Sequence, residues 1–269
     1  MPPESPLTTA FPTVPLDPRR SLNKPRTSGL TMVTDYQITL DGLRGLIELG
    51  GAYIDIFKVA TGTARLFPRD HLVAKLELLR SHQVRPFLGG QMQEYVLHTM
   101  GIHAMEAHLK EAKEIGFDMV EISDNIVDLG EGTRDRLIRL VQDAGLAAVG
   151  EIGDKRDNSD PAEMIREVNE VLASGTEIAM IEGQELMVDG KPNKTLIMAL
   201  KENVDVSRCM FELSTPRVGS TTPQIYAGKK FLVETFGPDV NLGNVTSDVV
   251  IETETTRLGL GSAGPLSLM

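Results

Sequence analysis

The chain has one cysteine in 269 residues, no tryptophan, four tyrosines and eight phenylalanines. Cys209 alone closes no internal disulfide, and a zinc ribbon or CxxC redox site is excluded. Nothing marks an oxidising compartment, so a cytoplasmic protein is expected. No stretch nears the roughly 18 consecutive apolar residues of a membrane-spanning helix. The first thirty residues hold seven of the fifteen prolines and lack the apolar segment of a secretory signal. Positive charge is also scarce, with 27 Lys+Arg against 38 Asp+Glu for a net charge of -11. That balance opposes both a nucleic-acid-binding face and attraction to anionic membranes, leaving small molecules as the expected partners. The five histidines all fall between His71 and His108, mostly in helical stretches, which argues against a histidine metal site or a Ser-His-Asp triad. Walker loops and dinucleotide fingerprints are missing.

What is present is a regular alternation. A Pro-rich arm is expected over residues 1–28, where Arg19, Arg20, Lys24 and Arg26 outnumber Glu4 and Asp17, and one domain over 29–269. A segment of the arm's composition rarely builds a packed core, so it reads as a mobile or surface-draped extension, or as one that contacts a second subunit. Beyond it, short apolar or β-branched runs lie at 30–34, 53–58, 85–88, 119–122, 147–151, 178–182, 209–212 and 240–242. Helix-periodic segments fall between them, near 39–49, 69–82, 92–115, 131–144, 160–173, 195–203, 223–235 and 247–258. Strand starts recur about every 30 residues, the length of one βα unit. Eight such units in about 240 residues fit an α/β protein of the (β/α)8 TIM-barrel class.

In that fold the chemistry sits where the strands end. Four successive apolar runs close on a glutamate: Glu121, Glu151, Glu182 and Glu212. Strand 1 ends at Asp35 and strand 2 at Lys58, strand 4 runs on into Ser123 and Asp124, and strand 8 supplies Asn241 with Asn244 just beyond. Gly89-Gly90 after strand 3 could bring backbone N–H groups to an anion, or make a plain tight turn. Carboxylates gathered at one mouth repel unless a cation, a lysine or shared protons relieve them. The natural cation is Mg2+, a hard ion that takes oxygen ligands. The alternative is that individual glutamates accept backbone hydrogen bonds, or pair with Lys58 and Lys155.

The segments that carry these residues resemble those of the phosphosulfolactate synthase family. They are Lys58 with Gly62-Thr63, Gly89-Gly90, Val120-Glu121-Ile122-Ser123-Asp124, Glu151-Ile152-Gly153 with Lys155, Ile181-Glu182-Gly183, Phe211-Glu212 and Val240-Asn241-Leu242-Gly243-Asn244. The resemblance implies a Mg2+-dependent (β/α)8 carbon–sulfur lyase, forming homo-oligomers, that adds sulfite to phosphoenolpyruvate. Its product would be (2R)-phospho-3-sulfolactate, in the first step of one route to coenzyme M. The resemblance also implies roles. Lys155 would be the general acid, Lys58 would grip the substrate carboxylate or phosphate, and Glu121 would take part in catalysis. Gly89, Gly90, Ser123, Asn241, Asn244 and Arg217 would surround the substrate. Glu121, Glu151 and Glu182 would lead the metal ligands, with Asp35, Asp124 and Glu212 as outer or alternative ones.

The chain also departs from the family pattern. Gln184 stands where an IEGRE-like segment carries arginine, Gly261 where an RRGLRG-like run carries another, and Tyr36 where a lysine often follows the first strand's aspartate. Three positive charges are therefore expected to be missing from loops that face an anionic substrate, with Arg217 and Arg65 placed to compensate. Two further readings follow. One is an enolate-stabilising lyase or synthase acting on another phosphorylated or carboxylated acid. The other is a non-catalytic relative acting through protein contacts, like the plant heat-stress members of the family; clustered mouth charges speak against it.

Overall fold

Each predicted strand is short and buried on both sides, as a parallel sheet wrapped by helices requires. In the computed structural model, which describes residues 9–130, 132–153 and 160–261, eight of them close a parallel barrel. In chain order they are β1 (Thr31–Asp35), β2 (Ile56–Val59), β3 (Arg85–Leu88), β4 (Met119–Ile122), β5 (Ala147–Ile152), β6 (Ile178–Ile181), β9 (Cys209–Glu212) and β10 (Leu242–Val245). β10 pairs with β1 to complete the ring. The two short strands β7 (Met187–Val188) and β8 (Lys191–Pro192) make an antiparallel hairpin in the connection after β6, which the sequence pattern did not announce.

The helices are α1 (Leu40–Gly50), α2 (Arg69–Ser81), α3 (Gly90–Met100), α4 (Met105–Ile115), α5 (Thr133–Asp143), α6 (Pro161–Ala173), α7 (Lys194–Asn203), α8 (Thr222–Phe236) and α9 (Val250–Arg257). The expected helix over 92–115 is two helices. Gly101 adopts φ +79, a left-handed value that ends α3, and its N–H donates to Leu97 O as a closing cap. β2 starts three residues later than expected because Gly51–Tyr53 forms a tight turn closed by Ile54 N–H on Gly51 O. The last strand lies at 242–245 rather than 240–242. Among the described residues no helix is long and apolar enough to cross a membrane.

Alternation along the strands sorts two cores. Val33, Phe57, Val59, Val120, Ile122, Ile152, Ile181 and Phe211 face outward against the helices. Met32, Ile56, Phe87, Met119, Val149, Met180 and Met210 fill the lumen, as layers of side chains do in this fold.

The end of the barrel where the strands begin is closed by basic side chains. Arg20 donates to both carboxylate oxygens of Glu254 at 2.7 and 3.1 Å and to Gly29 O at 2.8 Å. Lys24 caps the carbonyls of Gly51, Ile54 and His82, and Arg26 grips Asp55 with two bonds of 2.9 Å. From the other terminus, buried Arg257 donates to Pro238 O, Val240 O and Leu30 O. This corrects one expectation. α9 runs back antiparallel to β10, so Arg257 and Gly261, which sits against Thr255, lie at the closed end, and an arginine lost at 261 takes no charge from the mouth.

Candidate active site

The alternation that builds the lumen also builds the site. Two residues beyond an inward apolar side chain comes the next inward position. Met119 is thus followed by Glu121, Val149 by Glu151, Met180 by Glu182, Met210 by Glu212, Ile56 by Lys58 and Met32 by Thr34. These last six line one cavity of about 220 Å³ at the mouth, with Tyr36, Asn125, Arg217 and Asn244 on its walls. Glu182 lies one residue past the end of β6. The chain there approaches β9 so closely that a Cβ on Gly183 would meet Glu212 O at 2.8 Å and Ser214 N at 2.9 Å, so the IEG segment requires its glycine.

Lys58 is buried and bridges two carboxylates, donating to Glu121 at 3.0 Å and to Glu212 at 3.1 Å. Glu121 Oε2 also accepts the Gly90 N–H at 2.6 Å. Burial pushes Glu121 up to about 8, with Lys58 opposing and the charges of Glu151 and Glu212 adding to the rise. Burial likewise pushes Glu212 up to about 7 against the pull of Lys58. For Lys58, burial works to depress the ammonium, but Glu121 and Glu212 outweigh it and hold its pKa well above the ordinary value.

These shifts make a stability prediction for the metal-free protein. A carboxyl whose folded pKa exceeds its unfolded one binds more protons when folded, so its stabilisation is full below the ordinary carboxylate range and is lost as pH rises through 7 and 8. Lys58 stays charged across that window. In EDTA, the thermal midpoint measured by calorimetry should fall between about pH 5 and pH 8. Added MgCl2 should raise it more at pH 8, where the carboxylates are ionised for binding. A midpoint that is flat with pH in EDTA would count against the carboxylates as placed.

Carboxylate oxygens of Glu151, Glu182 and Glu212, all buried, lie within 4.8 Å of one another. An anionic, all-oxygen donor set of this kind suits a hard divalent cation such as Mg2+. Glu121, expected with Glu151 and Glu182 to lead the ligands, lies outside this trio, one oxygen taken by the Gly90 N–H; Glu212, which shares Lys58 with it, completes the trio.

Other expected site residues lie elsewhere. Asp35 faces α2, ion-paired with buried Lys75 and accepting the Gln37 and Ile38 N–H groups at 3.0 and 2.7 Å, so its oxygens are used. Asp124 turns outward to Arg134 at 2.5 Å. Ser123 donates behind the cavity to Glu94. Gly90, the first residue of α3, does line the cavity, but its N–H is spent on Glu121 and that of Gly89 on Val59 O, so neither N–H is left for an anion. Asn241 is at the opposite end: it precedes β10, accepts from Leu30 N–H and donates to Ser207 O and Cys209 O. Asn244, in left-handed conformation at φ 55, does reach the cavity and accepts from Thr34 Oγ1 at 2.9 Å. Arg217 also reaches it, its guanidinium stacked 3.7 Å above the ring of Tyr36. Gln184 is turned to Ser214. Lys155 lies outside the described residues. Sequence reasoning passed over Asn125, whose amide donates to Glu151 Oε2 at 2.6 Å; its signal was a place directly after the strand-end run VEISD.

The family model for (2R)-phospho-3-sulfolactate synthase (ComA) matches residues 19–263. The chain is 31% identical over 254 residues to the phosphosulfolactate synthase of Methanothermobacter thermautotrophicus, spanning 91% of this chain and 94% of that one. It is 24% identical over 247 residues to Protein HEAT-STRESS-ASSOCIATED 32 of Arabidopsis thaliana, spanning 81% and 82%. Among solved structures, a 3-hexulose-6-phosphate synthase superposes with a TM-score of 0.51 at 15% identity over 84% of this chain and 99% of that one, a likeness of fold. A match that takes in nearly the whole barrel, together with a relative of that identity and coverage, establishes that the chain belongs to the (2R)-phospho-3-sulfolactate synthase family.

Proposed function

We propose that the protein adds sulfite to phosphoenolpyruvate, giving (2R)-phospho-3-sulfolactate, with Mg2+ held by Glu151, Glu182 and Glu212. The observation that carries this reading is the trio of buried carboxylates beside a buried, charged lysine at the mouth of a barrel of this family. In the reaction the sulfite sulfur bonds to the methylene carbon, the double-bond electrons move toward the carboxylate, and a proton is added at the carbon that bears phosphate. Bound there, the divalent ion would supply positive charge to the carboxylate as its negative charge grows. Lys58, fixed between Glu121 and Glu212, presents its ammonium to the same cavity. Arg217, held flat on Tyr36, offers a planar donor set to a phosphate or sulfite oxygen. Lys155, three residues beyond β5 in sequence, is proposed as the proton donor.

A second reading keeps this chemistry but changes the acid. It is favoured by Tyr36, a neutral ring lining the cavity where the resemblance to the family implies a lysine. Both readings are tested by mass-spectrometric assay of the purified protein with phosphoenolpyruvate, sulfite and MgCl2. Phosphosulfolactate should form, EDTA should abolish it, and Lys155→Ala should lower its rate by roughly 10²–10⁴-fold. No product at saturating substrates would overturn the first reading. Product from another enolpyruvate or nucleophile would then establish the second, and binding of none of them would favour the non-catalytic alternative.

A further inference from the structure

Glu94 lies outside the mouth cavity, yet it is only 2% exposed. A glutamate on the first turns of a helix is ordinarily solvated; this one is buried because three donors converge on it. Ser123 Oγ donates to Oε1 at 2.5 Å, while the N–H groups of Ile126 and Val127 donate to Oε2 at 2.6 and 3.0 Å. These donors bracket Asn125 on both sides, and Asn125 donates in turn to Glu151 Oε2 at 2.6 Å. A line of hydrogen bonds thus runs from α3 through the β4–α5 connection to one member of the glutamate trio. Next to Glu94, the Gln93 amide ties Gly89 O to Glu121 O at 3.0 and 3.1 Å, which fixes the root of the same connection.

Hydrogen bonds to an ionised carboxylate are among the stronger ones, and three of them on a buried group leave the bracketed loop little freedom. An asparagine held on both sides presents its amide in one orientation, and a partner behind a ligating group governs how well that group binds metal. We infer that Glu94 is a positioning residue for the divalent-cation site. It fixes the loop that bears Asn125 and through Asn125 orients Glu151, so cation affinity depends on a carboxylate that does not line the site. The inference rests on the cation reading proposed above.

The test is Mn2+ binding to the full chain without substrates, followed by electron paramagnetic resonance. Glu94→Gln keeps the shape but removes the charge, leaving three weaker neutral bonds in place of charge-assisted ones, and Asn125→Ala removes the link to Glu151. Each should weaken Mn2+ binding by roughly 10–100-fold. The double variant should be no weaker than the more severe single, because the two act in series. A folded Glu94→Gln that binds Mn2+ like the unaltered chain overturns the inference, as do losses that multiply in the double variant. If Glu94→Gln does not fold, Ser123→Ala, which removes one of the three bonds, is read in the same way: weaker binding supports the inference and unchanged binding overturns it. Failure of the unaltered chain to bind Mn2+ would instead overturn the cation reading itself.

Discussion

Lys58→Met should lower turnover by roughly 10²–10³-fold, the scale on which a preorganised charge at a reacting group acts, and should destabilise the protein more at pH 8 than at pH 6. The lysine is the partner of Glu121 and Glu212 at 3.0 and 3.1 Å, and among the described residues no other cation pairs with either. Breaking one side of a buried ionic cluster typically costs about 3–5 kcal/mol. Here part of that cost is avoidable, because carboxyls already pushed up to about 8 and about 7 can take protons instead of standing as bare charges. The escape is open at pH 6 and closing at pH 8. The gap in thermal midpoint between variant and unaltered chain, measured in EDTA at both pH values, should therefore widen as pH rises. A variant with normal turnover, or a gap independent of pH, would show that Lys58 does not hold these groups.

The second large effect is expected far from the mouth. Arg20→Ala should lower the thermal midpoint by about 10 °C while leaving turnover nearly unchanged. The Arg20 side chain is fully buried and meets Glu254 through a two-pronged contact, with Gly29 O and Asp239 as further acceptors. Its loss strands a buried carboxylate beside Arg257, whose Nε is 3.8 Å from Glu254. A cost near 3 kcal/mol, at about 2–4 °C per kcal/mol for a chain of this size, gives the expected shift. Arg20→Lys keeps the charge but loses the fork, and should fall between the two. Calorimetry with a parallel activity assay decides the matter. An unchanged midpoint would mean that residues 19–26 are not part of the barrel's closure.

The barrel and the ring of mouth carboxylates were legible for one reason: within a strand, side-chain direction is fixed by parity, so Met119-Val120-Glu121 and Met210-Phe211-Glu212 declare which residues enter the lumen. Parity ends where the strand ends. Ser123 and Asp124 sit just past β4, and their partners, Glu94 and Arg134, belong to other elements that no local pattern connects. Asn241 was misplaced because the apolar residues at 240 and 242 look alike on either side of a strand start. Glu94 and Lys75 carried no signal at all. A charged residue on an amphipathic helix reads as solvated until the tertiary fold covers it.

Parity also has a consequence for folding fidelity. Each lumen glutamate or lysine is flanked by residues that face the helices, such as Val120 and Ile122 around Glu121 or Phe57 and Val59 around Lys58. Sliding any one of these strands by a single residue would press a carboxylate or an ammonium into the apolar layer beneath the helices, and turn an aliphatic side chain toward the mouth. The groups assigned to the chemistry therefore also act as a register lock. They make the near-native alternatives costly, so a one-residue insertion within β4, β5 or β9 should be far less tolerated than one in the loops that follow them.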